Sequence, residues 1–162
     1  MIKEKELREA RQGVRYPDAK DLNYQMLQAA LEKKLAESGV SIAFEMDQVK
    51  YGGLGGAVED CLVLYHPNHK TDYMKLCVRI KHQGNYAFVS IDEFGESKML
   101  GIQAGHDAAS DTFHGGSMSE KFGALLGSGF RRLFKGKYDK RALEEEKMWY
   151  TVVADVFDAV FS

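Results

Sequence analysis

Residues 58–66 (VEDCLVLYH) and 72–82 (DYMKLCVRIKH) decide the fold. Each stretch alternates large apolar side chains with partners of another kind, the period of two that places one set on one face of a strand. Joined through Pro67 to Thr71, they predict a hairpin. Pairing His66 with Asp72 sets Leu64 opposite Met74, Leu62 opposite Leu76 and Val58 opposite Ile80, so these apolar residues share a face. The same register sets Cys61 opposite Cys77 on the second face.

Downstream, Gly84-Asn85 predicts a tight turn, because glycine suits the first central position of a type II′ turn. That turn pairs Ile80 with Val89 and Val78 with Ile91. A third turn at Gly95-Glu96 is expected to set Leu100 against Ile91 and Ile102 against Val89, completing a four-stranded antiparallel meander. One face then carries Leu62, Leu64, Met74, Leu76, Val78, Ile80, Ala87, Val89, Ile91, Leu100 and Ile102, which requires a helical cover.

Upstream, Val40, Ile42, Phe44 and Met46 alternate as a fifth strand would. The apolar phase slips at Val49 and Tyr51, which predicts a bulge near Asp47 and Gln48. The glycines Gly52, Gly53, Gly55 and Gly56 lie between two strands, whereas phosphate-cradling glycine loops lie between a strand and a helix. They read as a hinge or a long hairpin loop.

Three helices are expected. The first spans about 19 to 38, with Asp18 as its N-cap, Gly39 as its stop and Leu22, Met26, Ala30, Leu31 and Leu35 on one face. Residues 1–16 carry little apolar surface and read as a loosely held arm. Residues 101–119 lack periodicity and read as a long loop. Ser117 and Glu120 form a capping box for a glycine-containing helix to about residue 134. The last helix runs from about Asp139 to the end and is apolar from Trp149 onward. The expected fold is a two-layer α+β domain over residues 1–162: an N-terminal helix, a four- or five-stranded antiparallel meander, and two C-terminal helices packed on one sheet face.

The chain has 162 residues, 44% of them hydrophobic, and a formal net charge of -2 from 22 basic and 24 acidic residues. That balance argues against general attraction to nucleic acid or to an anionic membrane surface. The charged opening from Met1 to Gln12 has no apolar run, and Asp155 and Asp158 interrupt the C-terminal apolar stretch, so neither a secretory signal nor a membrane span is expected. A cytoplasmic setting follows, in which two cysteines are expected to stay reduced.

The second face of the meander collects Tyr65, Tyr73, Tyr86 and Phe88 with Lys75, Arg79 and Lys81. Aromatics interleaved with cations can stack a flat anionic ligand or meet a partner. An ordinary strand surface explains the same residues, since aromatics favour strands and lysines keep them soluble. His106, Asp107, Asp111 and His114 offer a divalent metal nitrogen and oxygen ligands at short spacing, although they match no known motif. Arg131, Arg132, Lys135 and Lys137, followed by Lys140 and Arg141, could meet phosphate, yet cations near a helix C-terminus are favourable for the dipole alone. His66, His69 and His82 read as turn residues.

No spacing selects a catalytic nucleophile with its base, and no cofactor is implied. The expectation is a non-enzymatic binding or protein-interaction module, self-associating or meeting another protein, through the sheet face or the C-terminal helix. A small ligand is a further partner class. Phe161→Asp or Tyr73→Asp is expected to disturb assembly. A metal-dependent or small-molecule enzyme at residues 106–114 and a nucleic-acid accessory protein at residues 131–141 are the alternatives.

Overall fold

The computed structural model describes residues 1–97, 102–103 and 140–161. The meander centre stands where the alternation places it. After two N-terminal strands, β1 (Ile2–Lys3) and β2 (Arg8–Tyr16), come helix α1 (Tyr24–Ser38) and strands β3 (Ala43–Lys50), β4 (Val58–Tyr65), β5 (Lys75–Gln83) and β6 (Tyr86–Phe94). A small ladder of β7 (Glu96–Ser97) and β8 (Ile102–Gln103) and a long C-terminal helix, α2 (Lys140–Phe161), complete the described elements.

The β5–β6 register is the expected one, with Ile80 opposite Val89 and Val78 opposite Ile91. Gly84 has φ 57 while Asn85 does not share a positive φ, which fits a type II′ turn and excludes type I′. The β4–β5 register differs from expectation by two residues: Leu64 faces Leu76, Leu62 faces Val78, and Cys77 faces Val63 instead of Cys61. A two-residue shift returns every side chain to its original face, so alternation alone cannot distinguish the two registers.

The expected architecture is corrected at both sheet edges. The sheet is mixed and six-stranded, in the order β1-β3-β4-β5-β6-β2, and β1 runs parallel to β3. Residues 1–16, read as a loose arm, supply both edge strands. The neighbour of β6 is β2, with Val14 opposite Val89 and Tyr16 opposite Ala87. The place expected for a strand carrying Leu100 and Ile102 is therefore taken, and Ile102 pairs with Ser97 in the separate ladder. Among the described residues one C-terminal helix is present. The helix expected between Ser117 and residue 134 lies outside the described residues, as do Leu100 and most of the 101–119 loop.

Only Glu4 to Leu7, beginning with a single 3-10 turn, separate β1 from β2. Lys3 to Arg8 can span at most about 18 Å. Six strands laid flat would put the edges roughly 24 Å apart. The sheet therefore curls into a half-barrel, and the N-terminal segment crosses its second face. There Ile2 and Leu7 pack with Val49, Cys61, Val63, Cys77, Tyr51, Tyr65 and Phe94.

Two covered faces also remove the expected bulge. The β3–β4 ladder runs unbroken from Ala43↔Tyr65 to Lys50↔Val58. Phe44 packs toward the helices while Val49 is buried on the opposite side, so the slipped phase records two apolar environments rather than an extra residue. The glycine run closes this hairpin as a compact loop, Tyr51 N–H donating to Ala57 O and Gly56 N–H to Gly53 O. A Cβ on Gly56 would collide with the Tyr51 carbonyl.

The helices cover the first face. Helix α1 begins at Tyr24, later than expected, because Asn23 caps it by accepting from Met26 N–H at 2.9 Å, while Asp18 adopts a left-handed turn with φ 54. Gly39, at φ 71, ends it as expected. Leu27, Leu31 and Leu35 are its buried stripe, and Met26 is exposed. Helix α2 buries Trp149, Tyr150, Val153, Ala154, Phe157 and Phe161 in the same core as Leu62, Leu64, Met74, Leu76, Val78, Val89 and Ile91.

This core also holds polar groups. Arg8 and Glu93, opposite across β2 and β6, form an ion pair at 8% and 0% exposure. Tyr24 places its hydroxyl where β4 and β5 separate beyond Leu62↔Val78, donating to Asp60 O at 2.7 Å and accepting from Ile80 N–H at 2.9 Å. One side chain thus satisfies two strand groups that no longer reach each other, and burial pushes its own pKa up to about 12.

Candidate functional site

The second face divides into a covered and an open part. The covered part lies under Ile2 and Leu7 and holds both thiols. Beside it, Arg79 donates to Asp92 at 2.6 Å and to the Tyr51 hydroxyl at 2.5 Å. Burial alone disfavours the Arg79 charge, but Asp92 and Tyr51 hold its pKa above the usual value. Lys81 lies 5.1 Å from the centre of the Tyr51 ring and 3.5 Å from Glu59. Lys75 stands near the rings of Tyr65 and Phe94, at 5.8 and 6.0 Å, and Lys70 lies 4.9 Å from the Tyr65 ring. Much of the expected cation–aromatic pattern is thus internal to the sheet, where it holds neighbouring strands in register.

The open part centres on β6. Tyr86 and Phe88 are 44% and 42% exposed, with ring centres 6.4 Å apart. Phe88 faces Lys81 on β5 and Arg15 on β2, so cations flank it from both neighbouring strands. Glu9 faces Asp92 on the same side, placing acidic groups along the strip too. A depression of about 240 Å³ lies here, lined by Gly13, Arg79, Lys81, Phe88, Val89 and Ser90. Its floor is open because Gly13, beside a register shift between Arg11 and Val14, brings no side chain.

Of the residues expected on this face, Tyr65, Lys75, Arg79, Lys81, Tyr86 and Phe88 stand there, and the first three belong to its internal network. Tyr73 stands elsewhere. It is buried in the helix-covered core, stacked on His69 with ring centres 4.0 Å apart and 5.7 Å from the Trp149 ring. Burial, with Glu146 and Asp72 nearby, pushes its pKa up to about 12.

His66 and His69 do form the turn expected of them, His69 N–H donating to His66 O, and His66 also packs against Trp149 of helix α2. His66 lies 5.4 Å from both the Tyr73 and Trp149 rings, and His69 Nδ1 is 2.9 Å from Asp72. Burial, reinforced by His69, holds His66 below the usual histidine pKa, against the opposing pull of Asp72. His82 reaches the Leu22 carbonyl through Nε2 at 2.9 Å, tying β5 to the approach of α1.

His106, Asp107, Asp111 and His114, and Arg131, Arg132, Lys135 and Lys137, lie outside the described residues. Arg141 is exposed and pairs with Glu145 on its own helix. Among the described residues, no group of three or more histidine, cysteine, aspartate or glutamate side chains could hold a metal ion. No described helix is long and apolar enough to cross a membrane.

Gly13, Arg15, Tyr51 and Ser90 belong to this face without having been singled out from the sequence. The available signal was Val14 and Tyr16 at alternate positions around Arg15, a short period-2 run hidden by the charges before it. No family model matches the chain, and no curated protein or solved structure matches it either.

Proposed function

We propose that the protein is a non-enzymatic interaction module, and that the open part of its second sheet face docks against a second copy of the same chain. The observation that carries this reading is the exposed Tyr86–Phe88 pair flanked by Lys81 and Arg15, with Glu9 and Glu59 on the same side. A patch bearing an aromatic centre and both signs of charge is complementary to itself under a two-fold axis, as an isologous interface requires. The overall charge of -2 supplies no strong single-sign field that would repel a second copy.

The C-terminal helix, the other contact surface considered from sequence, spends its apolar side on the protein's own core. Phe161 and Tyr73 are buried there, so aspartate at either position tests folding and not assembly. The informative substitutions are Phe88→Asp and Tyr86→Asp, whose side chains are open to solvent in the single chain. Sedimentation equilibrium over a hundredfold concentration range is expected to show a reversible dimer for the wild-type chain and a monomer for Phe88→Asp. A wild-type chain that stays monomeric throughout would overturn the reading, as would a Phe88→Asp variant that dimerises like the wild type.

A further inference from the structure

Cys61 and Cys77 are the only cysteines of the chain, and both are fully buried on the covered part of the second face. They stand on adjacent strands, β4 and β5. Since Cys77 faces Val63, Cys61 is its diagonal neighbour, one same-face step along the ladder. Diagonal neighbours in a sheet have Cα atoms about 7–8 Å apart. A disulfide accepts up to about 6.8 Å. Closing a bond here takes a small approach of the two strands, and the ladder permits it: pairing stops at Leu62↔Val78, and beyond that point Tyr24 bridges the gap. Cys61 lies past the last β4–β5 pair, so that ladder does not hold it away from Cys77, which stays opposite Val63 and Asp92.

The two thiols differ. A hydrogen bond with Cys77 pulls Cys61 below the usual cysteine pKa against the cost of burial, and Arg79 adds to the lowering. The same hydrogen bond, with burial, pushes Cys77 up. Their lid is light, because β1 is held by two ladder pairs with β3 and by an ion pair of 3.3 Å between the Met1 amino group and Asp47. Asp47 is also the residue opposite Cys61 on β3. A strand held by so few pairs opens at little free-energy cost compared with global unfolding, so the thiols become reachable without the sheet coming apart.

We propose that Cys61 and Cys77 are a redox-active dithiol that hydrogen peroxide converts to an intramolecular disulfide, with β1 as the lid over it. The Cys61 thiolate attacks the peroxide oxygen, the O–O bond breaks, and water leaves after protonation, giving a sulfenic acid. The Cys77 sulfur then attacks the Cys61 sulfur, forming the S–S bond and expelling a second water. Two thiols are oxidised by two electrons and one peroxide is reduced to two waters.

The test is intact-mass analysis of the full, reduced chain after treatment with hydrogen peroxide at near-equimolar amounts, with iodoacetamide added on unfolding. The expected product is a monomer lighter by about 2 Da, with neither cysteine alkylated and both recovered by dithiothreitol. An unchanged mass with both cysteines alkylated, stable products heavier by added oxygen, or a disulfide-linked dimer would each overturn the proposal. Cys77→Ser is expected to stop at a Cys61 sulfenic acid that dimedone traps, while Cys61→Ser leaves Cys77 unreacted over the same time. Equal reactivity of the two variants would remove Cys61 as the attacking thiol. Ile2→Asp, which loosens the lid, is expected to speed disulfide formation several-fold, and an unchanged rate would remove β1 from the mechanism.

Discussion

Arg8 is buried, at 8% exposure, although it carries a full charge. In the run REARQGVRY it reads as one more solvated charge, and a hydrophobic pattern gives no reason to place it inside. It is inside because Glu93 faces it across β2 and β6. Losing one partner strands the other as a buried charge, which costs about 3–5 kcal/mol. Arg8→Ala is therefore expected to lower the urea midpoint by far more than Lys34→Ala, which removes one side of an exposed helical pair with Glu37. Equal effects of the two substitutions would mean that the Arg8–Glu93 pair does not anchor β2.

His66 gives the residue scale a pH dependence. Its pKa is lower in the fold than in the open chain because burial and His69 disfavour its charge. The unfolded state therefore binds the extra proton more readily, and stability rises with pH across this group. Its contribution is complete above the unfolded histidine value of about 6.5 and declines as pH falls below it. Denaturation midpoints measured from pH 8 to pH 5 are expected to fall more steeply for the wild type than for His66→Gln. Parallel curves would assign that acid sensitivity to other groups.

At the scale of elements, Tyr24 is the clearest case of a helix residue completing a sheet. Tyr24→Phe leaves the Asp60 carbonyl and the Ile80 amide without their bridge, at a cost of about 1–3 kcal/mol. The expected signature is local: faster hydrogen exchange at the Ile80 amide, with the β5–β6 ladder keeping its protection. Uniform acceleration across the sheet would show instead that the hydroxyl stabilises only the global fold.

The elements also show what could be read in advance. Strands β4, β5 and β6, both ends of the Gly84-Asn85 hairpin, the Gly39 stop and the C-terminal helix were legible because periodicity and turn chemistry act locally. The β4–β5 register was not, since two alignments that differ by two residues expose the same faces. Edge strands β1 and β2 were not either. Ile2 and Leu7 show no strand period within a charged run, and Arg8 is buried by an ion pair formed with a residue far along the chain. The open face was half legible. Tyr86, Phe88 and Lys81 followed from strand parity, whereas Arg15 and Gly13 depended on a strand that the sequence concealed. Tyr73 kept its parity on paper, but β5 begins at Lys75, which releases Tyr73 to pack under Trp149.

At the scale of the molecule, one chain crosses its own sheet. The short link from β1 to β2 closes half of the second face with an apolar lid and leaves the other half, around Phe88, open. The first half buries the paired thiols, and the second offers the surface assigned here to self-association. Hydrogen exchange followed at two protein concentrations, one below and one above the dimer transition, tests that assignment most directly. The amides of Tyr86 to Ser90 and of the facing stretch around Val14 and Arg15 are expected to gain protection at the higher concentration, while α1 and α2 do not change. Concentration-dependent protection confined to the helices, or none anywhere, would contradict it.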